Sequence, residues 1–235
     1  DLHLCDRRQR QMCIRDSTKM FTFTNLFRKY DYLVFFDLET TGLSPKECFI
    51  TEIAALKLKK ANGVTKIFQS FNSLVQLPDG IKLSEYIENL TGLTTDKINR
   101  EGQKSQTVYN DFLQLFDEKG KGLVIAYNTQ FDLSFIDYHL PEFHNANVDF
   151  LDSLTVFREL EPYPHKLSDA IERYELRECK NSHRALDDVY SLIGVTNVLD
   201  QKCNLLEYVN VFGYLEKYGK PQNPLDKIAY FPQGI

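Results

Sequence analysis

The chain has 235 residues, 43% of them hydrophobic, which is material for one sizeable core rather than two. Its formal net charge of -5 excludes a broadly basic surface, so a polyanionic partner must be met locally, by cations or a small patch of Lys and Arg. No apolar run has the length of a membrane span, and five cysteines (Cys5, Cys13, Cys48, Cys179, Cys203) without a CxxC pair fit a reduced, cytoplasmic setting better than a disulfide framework or zinc knuckle.

Residues 1–19 lack periodicity and cluster Arg around the string MCIRDS, with no apolar centre of a secretory signal. They read as a disordered or non-native leader, with Met20 as the expected start. Residues 30–202 carry the domain pattern. LVFFDL (33–38) is apolar on both alternating faces, the mark of a central strand covered on both sides. ITEIAALKLKK follows with Ile50, Ala54, Leu56 and Leu58 on one face, and Asn62-Gly63 predicts a tight hairpin into VTKIFQSFNSLVQ. Helices are expected at about 84–90 and 105–117, then a strand in GLVIAYN (122–128) and a helix in FDLSFIDYHL. Residues 148–151 predict another strand, with Asp152 capping the helix SLTVFREL, and two further helices fall near 166–174 and 184–199. This order predicts an α/β fold: a mixed five-stranded sheet flanked by helices, the ribonuclease-H-like arrangement. Residues 203–235 form an aromatic-rich extension, expected to dock on the domain because exposed Tyr and Phe invite aggregation.

Three acidic signals stand out. Asp37 and Glu39 end the most apolar strand, two apart and so on the face of Leu33 and Phe35, where charge is costly unless a cation or donors meet it. A strand end running into solvent explains that pair equally well. Asp132, in NTQFD, lies in the first turn of a helix, as a dipole partner or as an active group at the carboxyl end of a strand. In SHRALDDVYSL, Asp188 follows the helical spacing of Ala185 and Leu192 and so sits beside the buried stripe. His183, five residues earlier, shares no helical face with it but converges if it lies at the helix entrance, with Ser182 as cap.

These strings resemble the DnaQ-like 3′–5′ exonucleases with four acidic residues and a histidine, the DEDDh group, which includes the proofreading epsilon subunit of DNA polymerase III. FFDLETTGL is similar to the family's first motif, NTQFD to its second and HRALDD to its third. The resemblance spans residues 32 to about 199. It implies Asp37, Glu39, Asp132 and Asp188 as ligands for two divalent ions, Mg²⁺ or Mn²⁺, with Asp37 bridging them and Asp132 reaching one through water. It implies His183 as the base that takes a proton from the attacking water, in place of the tyrosine of a sister subgroup. The backbone at Thr40, Thr41 and Gly42 is implied to approach the terminal nucleotide, with Leu43 wedged against its base and Asn128 hydrogen-bonding nearby. Tyr127 departs from the family, where many relatives have His. Phe131 and Phe135 are expected in the core rather than stacked on bases.

The chemistry fits the residue types. Hard oxygen ligands suit such ions, and a metal pair clamps the attacking and leaving oxygens of a phosphodiester. Two like charges about 4 Å apart repel by about 4 kcal/mol at an effective dielectric near 20, so four clustered carboxylates need cations. An imidazole with a pKa of about 6.5 suits proton transfer near neutral pH. The expected substrate is nucleic acid with a free 3′ end, DNA before RNA, with a DNA polymerase as possible partner and no membrane. The rivals are an RNA or oligonucleotide trimmer of the same family and an inactive polymerase-associated binding module. Lys57, Lys59, Lys60 and Lys66 flank the hairpin turn and are expected simply to be solvated.

Overall fold

β1 (Tyr32–Thr40) has too little polar surface to face water on either side before Asp37, and it lies at the centre of the sheet. The computed structural model describes residues 21–116, 119–179 and 183–234; the leader, Met20 and Ser182 lie outside them. β2 (Ile50–Ala61) and β3 (Val64–Leu74) run antiparallel on one side of β1. Their hairpin turns through Asn62 and Gly63 at φ 52° and 80°, the left-handed pair that an Asn-Gly sequence favours. β4 (Gly122–Ala126) and β5 (Val148–Asp152) join parallel on the other side, giving the order β3-β2-β1-β4-β5. The mixed five-stranded α/β sheet expected from the sequence is the one formed.

Seven helices flank it: α1 (Glu85–Thr91), α2 (Thr95–Glu101), α3 (Ser105–Leu113), α4 (Thr129–His139), α5 (Ser153–Leu160), α6 (Leu167–Arg173) and α7 (Ala185–Lys202). Tyr32, Val34, Phe36 and Ala55 form one core with Val108 and Phe112 of α3 and Phe135 and Ile136 of α4. On the opposite face Leu33, Phe35, Leu56 and Ile125 pack with Phe157 of α5, Ala170 of α6 and Val189 and Leu192 of α7. Phe23 and Leu26 fill the same layer.

Two expectations need correction. Ile50 does not share the face of Ala54, Leu56 and Leu58 but packs in the opposite core. Glu39 pairs with Glu52 and Thr40 with Ile50, so Thr51 is an extra residue, a β-bulge that reverses the alternation. Lys57 is not solvated. It is fully buried, its ammonium 4.2 Å from the centroid of the Tyr32 ring and donating to the carbonyl of Leu115.

The C-terminal extension docks. β6 (Val211–Leu215) and β7 (Ala229–Gln233) pair in parallel. They fasten to the domain through Asn210, whose N–H donates to Phe150 O, and through Gly213 and Gln233, which donate to Thr155. Among the described residues Cys48 and Cys203 are free thiols, and no helix is long and apolar enough to cross a membrane.

Candidate active site

The alternation of β1 that buries Leu33 and Phe35 carries Asp37 and Glu39 to the same face, at the carboxyl end of the strand. α7 lies across β1 and β2 on that face. Its buried stripe of Ala185, Val189 and Leu192 is interrupted by Asp188, which is therefore delivered onto the strand end. The result is a cluster in which Asp37, Glu39 and Asp188 each place a carboxylate oxygen within 4.8 Å of the others.

Asp132 stands beside the cluster from another element. α4 begins just beyond β4, and in its first turn Asp132, buried, accepts a hydrogen bond from the Leu38 N–H at 3.2 Å. The entrance to α4 is itself pinned. Asn128 takes the left-handed conformation (φ 68°), and Asp152 accepts from the N–H groups of Asn128 and Thr129 at 2.8 and 3.0 Å. Asp152 also caps α5, as its position in the sequence predicts, by accepting from Leu154 and Thr155.

The electrostatics follow from desolvation and crowding. Burial, then the charges of Asp132, Glu39, Asp188 and Glu52, push the Asp37 carboxyl well above the usual range. Glu39 is pushed up to about 8, by burial first and then by Asp188, Glu52 and Asp132, with Arg184 opposing. Burial raises Asp132 as well, although its hydrogen bonds with backbone N–H groups oppose the shift. Among the described residues no hydrogen bond reaches Asp37 or Glu39. A site of bare carboxylate oxygens in mutual repulsion matches the donor preference of a hard divalent cation.

His183 lies at the entrance of α7, exposed, with φ 50°. A non-glycine residue holds that conformation at a cost of about 1–3 kcal/mol unless its surroundings enforce it. The N-cap residue of α7 is Arg184, whose own side chain does not cap the helix. Arg184 instead forms a two-pronged ion pair with Glu52, Nε to Oε2 and Nη2 to Oε1, both 3.0 Å. The sequence reading missed this pair. The signal was present, because Glu52 falls on the apolar alternation of Ala54, Leu56 and Leu58 just as Asp37 falls on that of Leu33 and Phe35.

The loop after β1 is tightly tied. Thr40 Oγ1 donates to the carbonyl of Gly42 at 2.7 Å, and the Thr41 N–H donates to Phe49 O while the Thr41 hydroxyl accepts from the Phe49 N–H. A side chain at Gly42 would meet Cys48 Sγ at 2.7 Å, so Cys48 would have to move to admit one. Leu43 is left 85% exposed at the tip. Asn128 is exposed, Phe135 is buried in the core and Phe131 packs against it, as expected for the two rings. Tyr127 turns away from the strand end, its hydroxyl donating to His165 O at 2.8 Å.

A family model described as exonuclease, RNase T, matches residues 34–196, a span that contains all of the clustered residues. The chain is 32% identical over 163 residues to a PolC-type DNA polymerase III of Lacticaseibacillus paracasei, across 67% of this chain and 10% of that protein. It is 33% identical over 162 residues to the PolC-type enzyme of Staphylococcus haemolyticus, again across 67% of this chain and 10% of the other. The chain thus spans about a tenth of the length of these relatives. Among solved structures it resembles E. coli Exonuclease I in complex with a dA16 oligonucleotide, with a TM-score of 0.64 at 19% identity over 76% of this chain and 42% of that one. It also resembles the nuclease domain of 3′hExo, a DEDDh family member bound to rAMP, with a TM-score of 0.60 at 20% identity over 75% of this chain and 95% of the other. These likenesses show the ribonuclease-H-like exonuclease fold.

Proposed function

We propose a reaction for this site on one premise: the chain belongs to the RNase T exonuclease family. The pocket hydrolyses the last phosphodiester bond at the 3′ end of a DNA strand and releases a nucleoside 5′-monophosphate. One observation carries the reading. Asp37, Glu39 and Asp188, from distant parts of the chain, converge with Asp132 beside them, and among the described residues Asp37 and Glu39 receive no hydrogen-bond donor.

Asp37, Glu39 and Asp188 hold divalent cations, Mg²⁺ or Mn²⁺, with Asp132 contributing through water. Two such ions balance the four carboxylates, neutralise the phosphate and stabilise charge on the attacking and leaving oxygens. His183 accepts the proton of the attacking water, a role open to an exposed imidazole at the entrance of the helix that carries Asp188. Water attacks phosphorus, and the bond to the 3′ oxygen of the preceding nucleotide breaks. Leu43, projecting from a loop held rigid by its own hydrogen bonds, packs against the terminal base while Thr40, Thr41 and Gly42 shape the backbone beside it. Asn128, at the mouth of the pocket, hydrogen-bonds the same nucleotide. The net charge of -5 is reconciled with a polyanionic substrate because the cations, not the surface, provide the positive field.

DNA is the preferred substrate because the curated relatives described above are by name DNA polymerases, and polymerase-associated proofreading is the context proposed. Release of nucleotide from 3′-labelled DNA and RNA, with Mg²⁺ and with chelator, tests this. The expected result is metal-dependent release, faster from DNA. His183→Ala should lower the rate about 10²–10⁴-fold. Release from neither strand would make the chain a binding module, and full activity in the His183 variant would remove the proposed base.

A further inference from the structure

We propose that the Arg184–Glu52 ion pair positions His183 at the entrance of α7, which makes both residues positioning residues for the hydrolysis; the inference rests on the nuclease reading above. Three features of the geometry lead to it. First, Glu52 is immobile: it is 1% exposed and lies opposite Glu39 in the β1–β2 register, so the sheet fixes its carboxylate. Second, the guanidinium meets both carboxylate oxygens at 3.0 Å, the two-pronged arrangement that fixes orientation as well as distance. Third, Arg184 directly follows His183, whose imidazole receives no hydrogen bond from any described residue. Among the described residues the imidazole is therefore placed through its backbone, held in a left-handed conformation at φ 50°.

The carbonyl of Arg184 accepts from the N–H groups of Asp187 and Asp188 at 2.9 and 3.1 Å, the first bonds of α7. Sheet, Glu52, Arg184 and the first turn of α7 thus form one continuous linkage, with His183 at its free end and Asp188 within it. Arg184 has a second effect. Without it, Glu52 would add an unpaired negative charge beside Glu39, in a cluster already short of positive charge.

The test is Arg184→Lys, which keeps the positive charge and loses the planar fork. Misplacing a reacting group by about 1 Å costs on the order of 10²-fold, so kcat for nucleotide release should fall about 10- to 100-fold. KM for the labelled oligonucleotide and half-saturation by Mn²⁺ should stay within about 2-fold of the parent. The decisive comparison uses the His183→Ala background. If Arg184 acts through His183, Arg184→Lys there should cost less than about 3-fold, because coupled residues are not additive. A smaller loss in the parent, or an undiminished loss in the His183→Ala background, overturns the proposal. Should the Lys variant fail to fold, Glu52→Gln, which preserves side-chain shape, takes its place with the same expectations. Absence of release by the parent overturns the nuclease reading and this inference together, whereas an active parent with an unaffected Arg184→Lys overturns this inference alone.

Discussion

Asp37 and Asp152 stand at the same end of the sheet, near the carboxyl ends of the parallel strands β1 and β5, and their surroundings are opposite. Asp152 accepts from the backbone N–H groups of Asn128, Thr129, Leu154 and Thr155 and from the Thr155 hydroxyl. Asp37 accepts none among the described residues and faces four other carboxylates instead. The first arrangement stabilises an anion and ties two helix entrances together; the second repels one. A carboxylate next to a core therefore reveals its task by its donors, and the one left without donors awaits something from outside the protein.

That contrast breaks if both residues respond alike to substitution. The largest effect is expected for Asp37→Asn. A metal site supplies several kcal/mol of transition-state stabilisation, so nucleotide release should fall at least about 10³-fold. In chelator, however, the melting temperature of Asp37→Asn should match or exceed the parent's, since a like charge is gone. A large loss of stability would mean that Asp37 is structural after all. Asp152→Ala should behave in the reverse sense. Several buried N–H groups lose their acceptor, at about 1–3 kcal/mol for each left unsatisfied, so urea unfolding should show a loss of about 3 kcal/mol or more. An unchanged midpoint would remove the contrast from that side.

A subtler test uses protons. The Glu39 carboxyl is raised to about 8 from 4.5, chiefly by burial. The folded chain therefore holds a proton that the unfolded chain releases, and the stability this group contributes, complete below about pH 4.5, is lost as pH rises through about 8. A cation needs the ionised form, so its binding displaces that proton. The rise in melting temperature on adding Mn²⁺ should be greater near pH 8.5 than near pH 6. Equal shifts at the two values would show that the cation binds elsewhere.

The central strand and the hairpin were legible in the sequence because each rests on a periodic or turn signal strong enough to survive its context, whereas the convergence of Asp37, Glu39 and Asp188 was expected only from the three motifs together, since each acid alone had a plain structural explanation. α2 was not legible: Thr94 caps it, with Ile98 its one buried residue, so it has no apolar stripe to read. The paired strands of the extension were missed for a similar reason, since β6 and β7 depend on side-chain anchors such as Gln233 and Asn210 rather than on alternation. Lys57 was misjudged because a charged residue in a hairpin reads as solvated until an aromatic ring and a carbonyl are known to receive it. Glu52 and Arg184 escaped notice because their meaning lies in each other, across a long stretch of chain.

Thr51 gives β2 two phases of reading. On the hairpin side of it, even-numbered residues look toward α7; on the loop side, Ile50 looks the other way. A one-residue deletion there would leave the hairpin register intact while rotating everything between Leu43 and Ile50 by half a turn, reversing which side chains face inward. The loop that carries Leu43 is thus geared to the sheet through a single residue, and evolution or an engineer could redirect that loop without altering a single contact in the rest of the strand.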